Sequence, residues 1–191
     1  MEKWSDNFYI EQTLCGETES FAPLLNRYSK QVFSLIVKIV GNREDAEELT
    51  QDVFIKAYRS LATFRADSSF STWLYRIAYN TAISATRNKV NTFVPFDESI
   101  LSEATDVTDD SFDDDSDNEL RFVYLHRALE QIPPDERAMI MLFYKDNKTM
   151  EEIAVITGLT ETNVKTKIFR IRKKLFVLIK RMEEKSDGTE R

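Results

Sequence analysis

The sequence predicts an all-α protein of two small helical domains joined by a flexible acidic linker. Outside residues 92–118, apolar side chains recur at spacings of three and four, and no stretch alternates apolar with polar as a half-buried strand would. Within "TFVPFDESILSEATDVTDDSFDDDSDN" the recurrence stops, and repulsion among carboxylates with little apolar surface keeps the segment extended. A hydrophobic content of 42% with 4 Gly and 4 Pro in 191 residues belongs to ordinary globular packing and excludes disorder throughout.

Taken in order, Thr18 precedes a helix over "ESFAPLLNRYSKQVFSLIVKIV", with Phe21, Leu24, Leu25, Tyr28, Val32, Leu35, Ile36 and Ile39 recurring and Gly41 as its stop. Asn42 caps the next helix, "REDAEELTQDVFIKAYRSL". Glu44, Asp45, Glu47 and Glu48 lie at its positive end, and Ala46, Leu49, Val53, Ala57 and Leu61 form its buried stripe. The loop "TFRADSS" leads to a third helix from about Ser71 to Arg87. After the linker, "ELRFVYLHRALEQI" ends at Pro133 and Pro134, "DERAMIMLFYK" follows, and two further helices flank "TGLT". The expected partition is 1–92, a linker over 93–118, and 119–191, with the tail after Met182 frayed.

No apolar run approaches the roughly 20 residues of a membrane span, and "MEKWSDNFYI" lacks the basic start and apolar core of a signal peptide, so a cytoplasmic protein without membrane insertion is expected. Cys15 and His126 each stand alone, which gives no disulfide framework and no zinc ligand set. Cys15, taken as half-buried in a helix, reads as inert packing and His126 as a boundary residue. No nucleophile, metal or phosphate-loop constellation is visible, so neither enzyme activity, a cofactor nor a small-molecule substrate is expected.

The formal charge of −7 is unevenly distributed. Acidic and basic side chains balance over residues 1–95, the segment 96–119 is acidic without a single Lys or Arg, and residues 120–191 carry a basic excess. The acidity belongs to the linker, so it does not argue against a nucleic-acid partner for either end.

Residues 149–175, "TMEEIAVITGLTETNVKTKIFRIRKKL", read as a helix-turn-helix. Thr149 and Glu152 form a capping box, Ile153, Ala154 and Ile156 point inward, Gly158 permits a left-handed turn, Leu159 plugs that turn, and Thr160 caps the second helix. Val164, Ile168, Ile171 and Leu175 make the buried stripe of the second helix. Thr162, Asn163, Thr166, Lys167, Arg170, Lys173 and Lys174 then face outward, with Lys165 among the basic residues. Short polar side chains suit base edges in a major groove, and Arg and Lys suit phosphates. A solvated Lys/Arg helix, the bland alternative, usually intersperses Glu at i, i+4, and only Glu161 is present here.

The stretch "FRADSSFSTWLYRIAYN" carries a second constellation. On its helix Leu74, Ile77, Ala78, Thr81 and Ala85 point inward, whereas Trp73, Arg76, Asn80, Ser84 and Arg87 share another face. A stacking platform, cations and an amide together match what unstacked bases require, and the preceding loop could cup one flipped base. Helix packing by Trp73 and Tyr75 is the competing explanation.

With these motifs in view, "GNREDAEELTQDVFIKAYRSLATFRADSSFSTWLYRIAYNTAI" resembles region 2 of an extracytoplasmic-function (ECF) sigma factor of bacterial RNA polymerase, in the sigma-70 family. "ALEQIPPDERAMIMLFYKDNKTMEEIAVITGLTETNVKTKIFRIRKKL" resembles its region 4. The resemblance implies that Asp45, Glu48, Leu49, Gln51, Asp52 and Phe54 dock on the clamp helices of the beta-prime subunit of core polymerase. It further implies that Phe64, Arg65, Asp67, Ser68, Ser69, Phe70 and Ser71 form the loop that captures a base flipped from the minus-ten element, with Trp73, Arg76 and Asn80 assisting. Thr160, Thr162, Asn163, Lys165, Thr166, Lys167, Arg170 and Lys173 would read the minus-35 element as duplex. Implied partners are core polymerase, through the clamp helices and the beta flap, promoter DNA, and an anti-sigma factor. In the linker, Asp109, Asp110, Asp113, Asp114 and Asp115 would imitate nucleic acid in a basic channel. A stand-alone helix-turn-helix regulator explains residues 149–175 equally well but leaves the other features without a role.

Overall fold

The structure is a computed structural model that describes residues 4–88 and 118–187. Helix α1 (Asp6–Leu14) opens the chain, capped by the Ser5 hydroxyl, which accepts from the Phe8 N–H at 3.3 Å. A 3-10 turn (Thr18–Phe21) leads into α2 (Ala22–Val40), which Gly41 ends at φ 74°, a left-handed conformation that costs a glycine little. Asn42 caps α3 (Arg43–Ser60) by accepting from the Asp45 N–H at 3.0 Å. A second 3-10 turn (Leu61–Thr63) and a loop lead to α4 (Phe70–Asn88). The later helices are α5 (Asn118–Gln131), α6 (Pro134–Tyr144), α7 (Met150–Thr157) and α8 (Glu161–Asp187). Among the described residues there is no strand. The acidic segment, including Asp109 to Asp115, lies outside the described residues.

Three expectations are corrected. Helix α1 was not anticipated, and Cys15 is not half-buried within a helix but exposed at the end of α1. The helix expected after Thr18 starts as a 3-10 turn, the α-helix beginning only at Ala22 just before Pro23, whose fixed φ suits a first turn. Helix α8 runs through the expected frayed tail to Asp187, because Glu183, Glu184 and Lys185 are good helix formers that extend an established helix at little cost.

Leu24, Val32, Leu35, Ile36 and Ile39 of α2 pack with Ala46, Val53 and Ala57 of α3 and Leu74, Ala78 and Ala82 of α4, all buried. Alanines on α3 and α4 let the helix axes approach, and each buried Leu or Ile adds roughly 1.5–3 kcal/mol. A second set gathers Ala128, Ile132, Ala138, Met139, Leu142, Ile153, Ile156, Val164, Ile168 and Ile171 from α5 to α8 and the turn before α6. The two sets form one continuous cluster, because α2 lies against α6 and α4 against α7.

Arg137 joins these halves. Its guanidinium donates to the Lys38 carbonyl in the last turn of α2 at 3.1 Å, and to the Glu130 and Ile132 carbonyls at the end of α5 at 3.2 and 3.3 Å. Helix C-terminal carbonyls have no intrahelical donor, so one side chain satisfies two helix ends.

Lys174 is the further correction. Expected on the outward face of α8, it is buried, and its Nζ lies 3.0 and 2.9 Å from the two carboxylate oxygens of Glu136 on α6. Lys174→Met, which leaves the Glu136 carboxylate without that cation, is expected to cost about 3 kcal/mol in urea unfolding. Adding Glu136→Leu should recover most of the loss, since replacing both members of a buried pair by apolar groups is often neutral.

Candidate polymerase- and nucleic-acid-binding surfaces

On α3, Glu48, Gln51 and Asp52 are exposed and Asp45 and Leu49 half-buried. Phe54, expected on this face, is 5% exposed and lies beneath it, a correction that follows from its place beside Val53 against α2. Next to Gln51 an apolar groove runs between α2 and α3, lined by Phe21, Leu25, Phe54, Ile55 and Tyr58. Leu25, Ile55 and Tyr58 are 39%, 48% and 40% exposed, which adds an unpredicted apolar strip to the acidic face. The only sequence signal for it was Ile55 falling outside the buried stripe of α3.

The loop before α4 has a capped exit and a strained tip. Ser69 caps α4, its hydroxyl accepting from the Thr72 N–H at 3.1 Å, and Ala66 at the tip adopts φ 58°, a conformation costly for a residue with a Cβ. Arg65, Asp67 and Ser69 are exposed, and Phe64, Ser68 and Ser71 half-buried. Phe70, predicted to belong to the capture loop, is 2% exposed, so it supports the loop from below rather than presenting a ring. Phe64, Phe70 and Trp73 form a mutual ring cluster with centroids 5.5–5.8 Å apart. Tyr28 contacts Phe70 from α2 at 5.7 Å. The Tyr28 hydroxyl donates to Asp6, which also pairs with Arg27, so α1 braces the floor of the cluster. Burial, then the bond to Asp6, pushes the Tyr28 phenol up to about 12, so it remains a donor at neutral pH.

Trp73 is half-buried, and Arg76, Asn80, Ser84 and Arg87 are exposed along its side of α4, as the spacing requires. A half-buried indole, a guanidinium and an amide thus line one accessible face. A feature missed by sequence reasoning is the opposite face, where Thr72, Tyr75 and Tyr79 are buried under the second half of the chain. Burial, then the Asp135 charge, pushes the Tyr79 phenol up to about 12.

In α7 and α8 the predicted joint is present atom for atom. The Glu152 N–H donates to the Thr149 hydroxyl at 3.1 Å, and the Thr149 N–H donates to the Glu152 carboxylate at 3.0 Å. Gly158 sits at φ 73°, and the Thr160 hydroxyl accepts from the Asn163 N–H at 3.2 Å. Val164, Ile168, Ile171 and Leu175 are buried. Thr160, Thr162, Asn163, Lys165, Thr166 and Arg170 are exposed, with Lys173 half-buried. The Thr166 hydroxyl is turned back onto the Thr162 carbonyl at 3.0 Å, and Lys167 is half-buried, 3.5 Å from Asp135. Phe169, 57% exposed among these polar residues, was not anticipated.

Among the described residues no group of His, Cys, Asp and Glu could hold a metal ion, and no helix is long and apolar enough to cross a membrane.

Residues 24–92 match the Sigma-70 region 2 family, and residues 122–175 match the Sigma-70, region 4 family. The chain is 34% identical over 178 residues to the ECF RNA polymerase sigma-E factor of Escherichia coli K12, covering 90% of this chain and 92% of that one. It is 30% identical over 177 residues to the RNA polymerase sigma-H factor of Pseudomonas aeruginosa, covering 87% and 90%. Its fold is similar to that of CnrH in complex with the cytosolic domain of CnrY (TM-score 0.66, 22% identity, 92% and 97% covered). It is also similar to the sigma factor RpoE in complex with the anti-sigma factor NepR from Bartonella quintana (TM-score 0.62, 21% identity, 85% and 98% covered).

Proposed function

The chain belongs to the ECF sigma factors of the sigma-70 family, and we propose that it directs promoter-specific initiation with each of the surfaces above in a separate role. The acidic face of α3, centred on Glu48, Gln51 and Asp52, docks on core RNA polymerase, and the apolar strip of Leu25, Ile55 and Tyr58 extends that contact. A partner with basic side chains around an apolar ridge fits both parts.

The loop 64–71 with Trp73, Arg76 and Asn80 holds a base flipped from the minus-ten element, and α8 reads the minus-35 duplex. Stacking at roughly 1–3 kcal/mol per base offsets the few kcal/mol of unpairing, so opening needs neither a nucleotide nor a metal from this chain. The polymerase performs the chemistry, and the chain, acting in the cytoplasm, supplies specificity. Residues 1–92 and 119–191 form the two functional domains, with 93–118 as the linker. An anti-sigma factor, such as the NepR bound to RpoE from Bartonella quintana, is the kind of regulator that would cover these same faces.

The observation carrying this reading is the pairing, in one chain, of an accessible aromatic and cationic face on α4 with a fully formed helix-turn-helix. Purified chain mixed with sigma-free bacterial core polymerase is expected to co-elute stoichiometrically on size exclusion and to support transcription from a fragment library. Operator binding by the chain alone, with no association with core, would favour the stand-alone regulator instead.

A further inference from the structure

We propose that Asp135, at the start of α6, takes the place of a DNA phosphate on Lys167 while the chain is off DNA, and so holds down sequence-independent duplex affinity. This rests on reading α8 as the duplex-binding helix.

The arrangement follows from where α8 passes under α6. Asn163, Lys167, Arg170 and Lys174 recur at spacings of four, three and four and therefore share one side of the helix. Asn163 and Arg170 are exposed, Lys167 is half-buried and Lys174 is buried, so the row runs from solvent into the interior. Helix α6 starts over its inner end. Asp135 and Glu136 lie in the first turn of α6, where carboxylates complement the helix dipole, and each meets one lysine of the row.

The two pairs differ in burial, and burial decides what each can do. The side chains of Glu136 and Lys174 are 20% and 9% exposed, with both carboxylate oxygens within 3.0 Å of Nζ. Parting them would strand a charge in the interior, so this pair fixes the start of α6 on α8. Asp135 and Lys167 are 40% and 43% exposed, with Oδ2 3.5 Å from Nζ. A pair so open to water adds little to stability and exchanges readily. Lysine carries a point charge on a flexible stem, so a phosphate oxygen can replace the carboxylate by side-chain rotation alone. Arg170, exposed one turn further along the row, lies on the side offered to the duplex.

Such an exchange carries a cost that an unpaired lysine would not meet. Each phosphate that a protein cation neutralises releases counterions from the duplex, and this release supplies essentially all of sequence-independent binding. When Lys167 turns to a phosphate, the Asp135 carboxylate is left beside the same phosphates, and its repulsion offsets the contact just made. The chain is thereby less retained on bulk DNA, where phosphate contacts carry no sequence information.

The test uses the full chain and a mixed-sequence duplex, and compares the parent, Asp135→Asn, Lys167→Gln and the double variant over a salt series. Asp135→Asn should bind more tightly, with the slope of log K against log salt steeper by about 0.9, the value of one phosphate contact. Its advantage over the parent then grows about 3.5-fold between about 200 and about 50 mM salt. Asp135→Ser should behave alike, so poor folding of either variant leaves the question decidable, and urea unfolding checks both. Added to Lys167→Gln, Asp135→Asn should change neither affinity nor slope. Glu11→Gln, which removes one exposed carboxylate from α1, should match the parent. Unchanged affinity and slope in Asp135→Asn overturn the proposal. A gain that persists beside Lys167→Gln also overturns it, and assigns the effect to the Asp135 charge near Tyr79 on α4. Absence of duplex binding in every variant removes the reading of α8 and this proposal together, while co-elution with core tests the sigma assignment separately.

Discussion

Asp52→Arg is expected to abolish stoichiometric co-elution with core polymerase while leaving the chain folded. Asp52 is exposed on α3 one turn from Glu48, and a surface substitution away from caps and cores usually changes stability by no more than about 0.5 kcal/mol. The introduced Arg can even pair with Glu48 at i, i+4. Against a basic partner surface, however, a lost attraction becomes a repulsion, and like charges facing across an interface cost several kcal/mol. A penalty of about 3 kcal/mol weakens binding roughly a hundredfold, enough to separate the peaks when the chains are run at about tenfold the parental Kd. Glu11→Arg changes the net charge by the same amount on the exposed side of α1 and should co-elute like the parent. Raising the salt should weaken the parent and Glu11→Arg alike, as exposed charges are screened beyond about 10 Å at 0.1 M. Co-elution of Asp52→Arg at parental strength would place the docking face elsewhere.

Local rules carried much of the fold because local interactions decide most of a helical chain. The capping box at Thr149, the left-handed Gly158 and the cap at Thr160 are each fixed within four residues, and all three occupy their predicted places. Helix α4 spans Phe70–Asn88 against an expected start near Ser71, since its cap, Ser69, lies next to the apolar recurrence. Features set by distant contacts were not legible. Tyr75 and Tyr79 form a buried face only because α6 and α7 lie upon it, and nothing near them in sequence announces that partner. Lys174 reads as a surface cation until Glu136, far away in sequence, is placed beside it. Phe54 and Phe70 were read as contacting residues through their position in a motif, whereas each fills the layer beneath that motif. Helix α1 escaped notice because its apolar side chains make no regular stripe. Its place is fixed instead by Asp6 reaching Arg27 and Tyr28.

That layer of supporting rings bears on the second large effect, expected at Trp73. Trp73→Ala would remove a stacking surface and also cut into the packing with Phe64 and Phe70, so a loss of activity could reflect either. Trp73→Leu separates them, since it keeps an apolar side chain over those rings but offers no π-face to a base. On a promoter recovered with the reconstituted polymerase, Trp73→Leu should leave core co-elution unchanged and slow strand opening about thirtyfold, measured by a fluorescent base analogue in the minus-ten element. That factor corresponds to about 2 kcal/mol, within the range for one base on one aromatic side chain. Trp73→Phe should retain most of the activity. The deficit should shrink on a template already mismatched at minus-ten, because the cost that stacking offsets, unpairing and unstacking the base, has then been removed. A defect of equal size on both templates would instead assign Trp73 to the framework, alongside Phe70, and shift base capture to the exposed Arg65, Arg76 and Asn80.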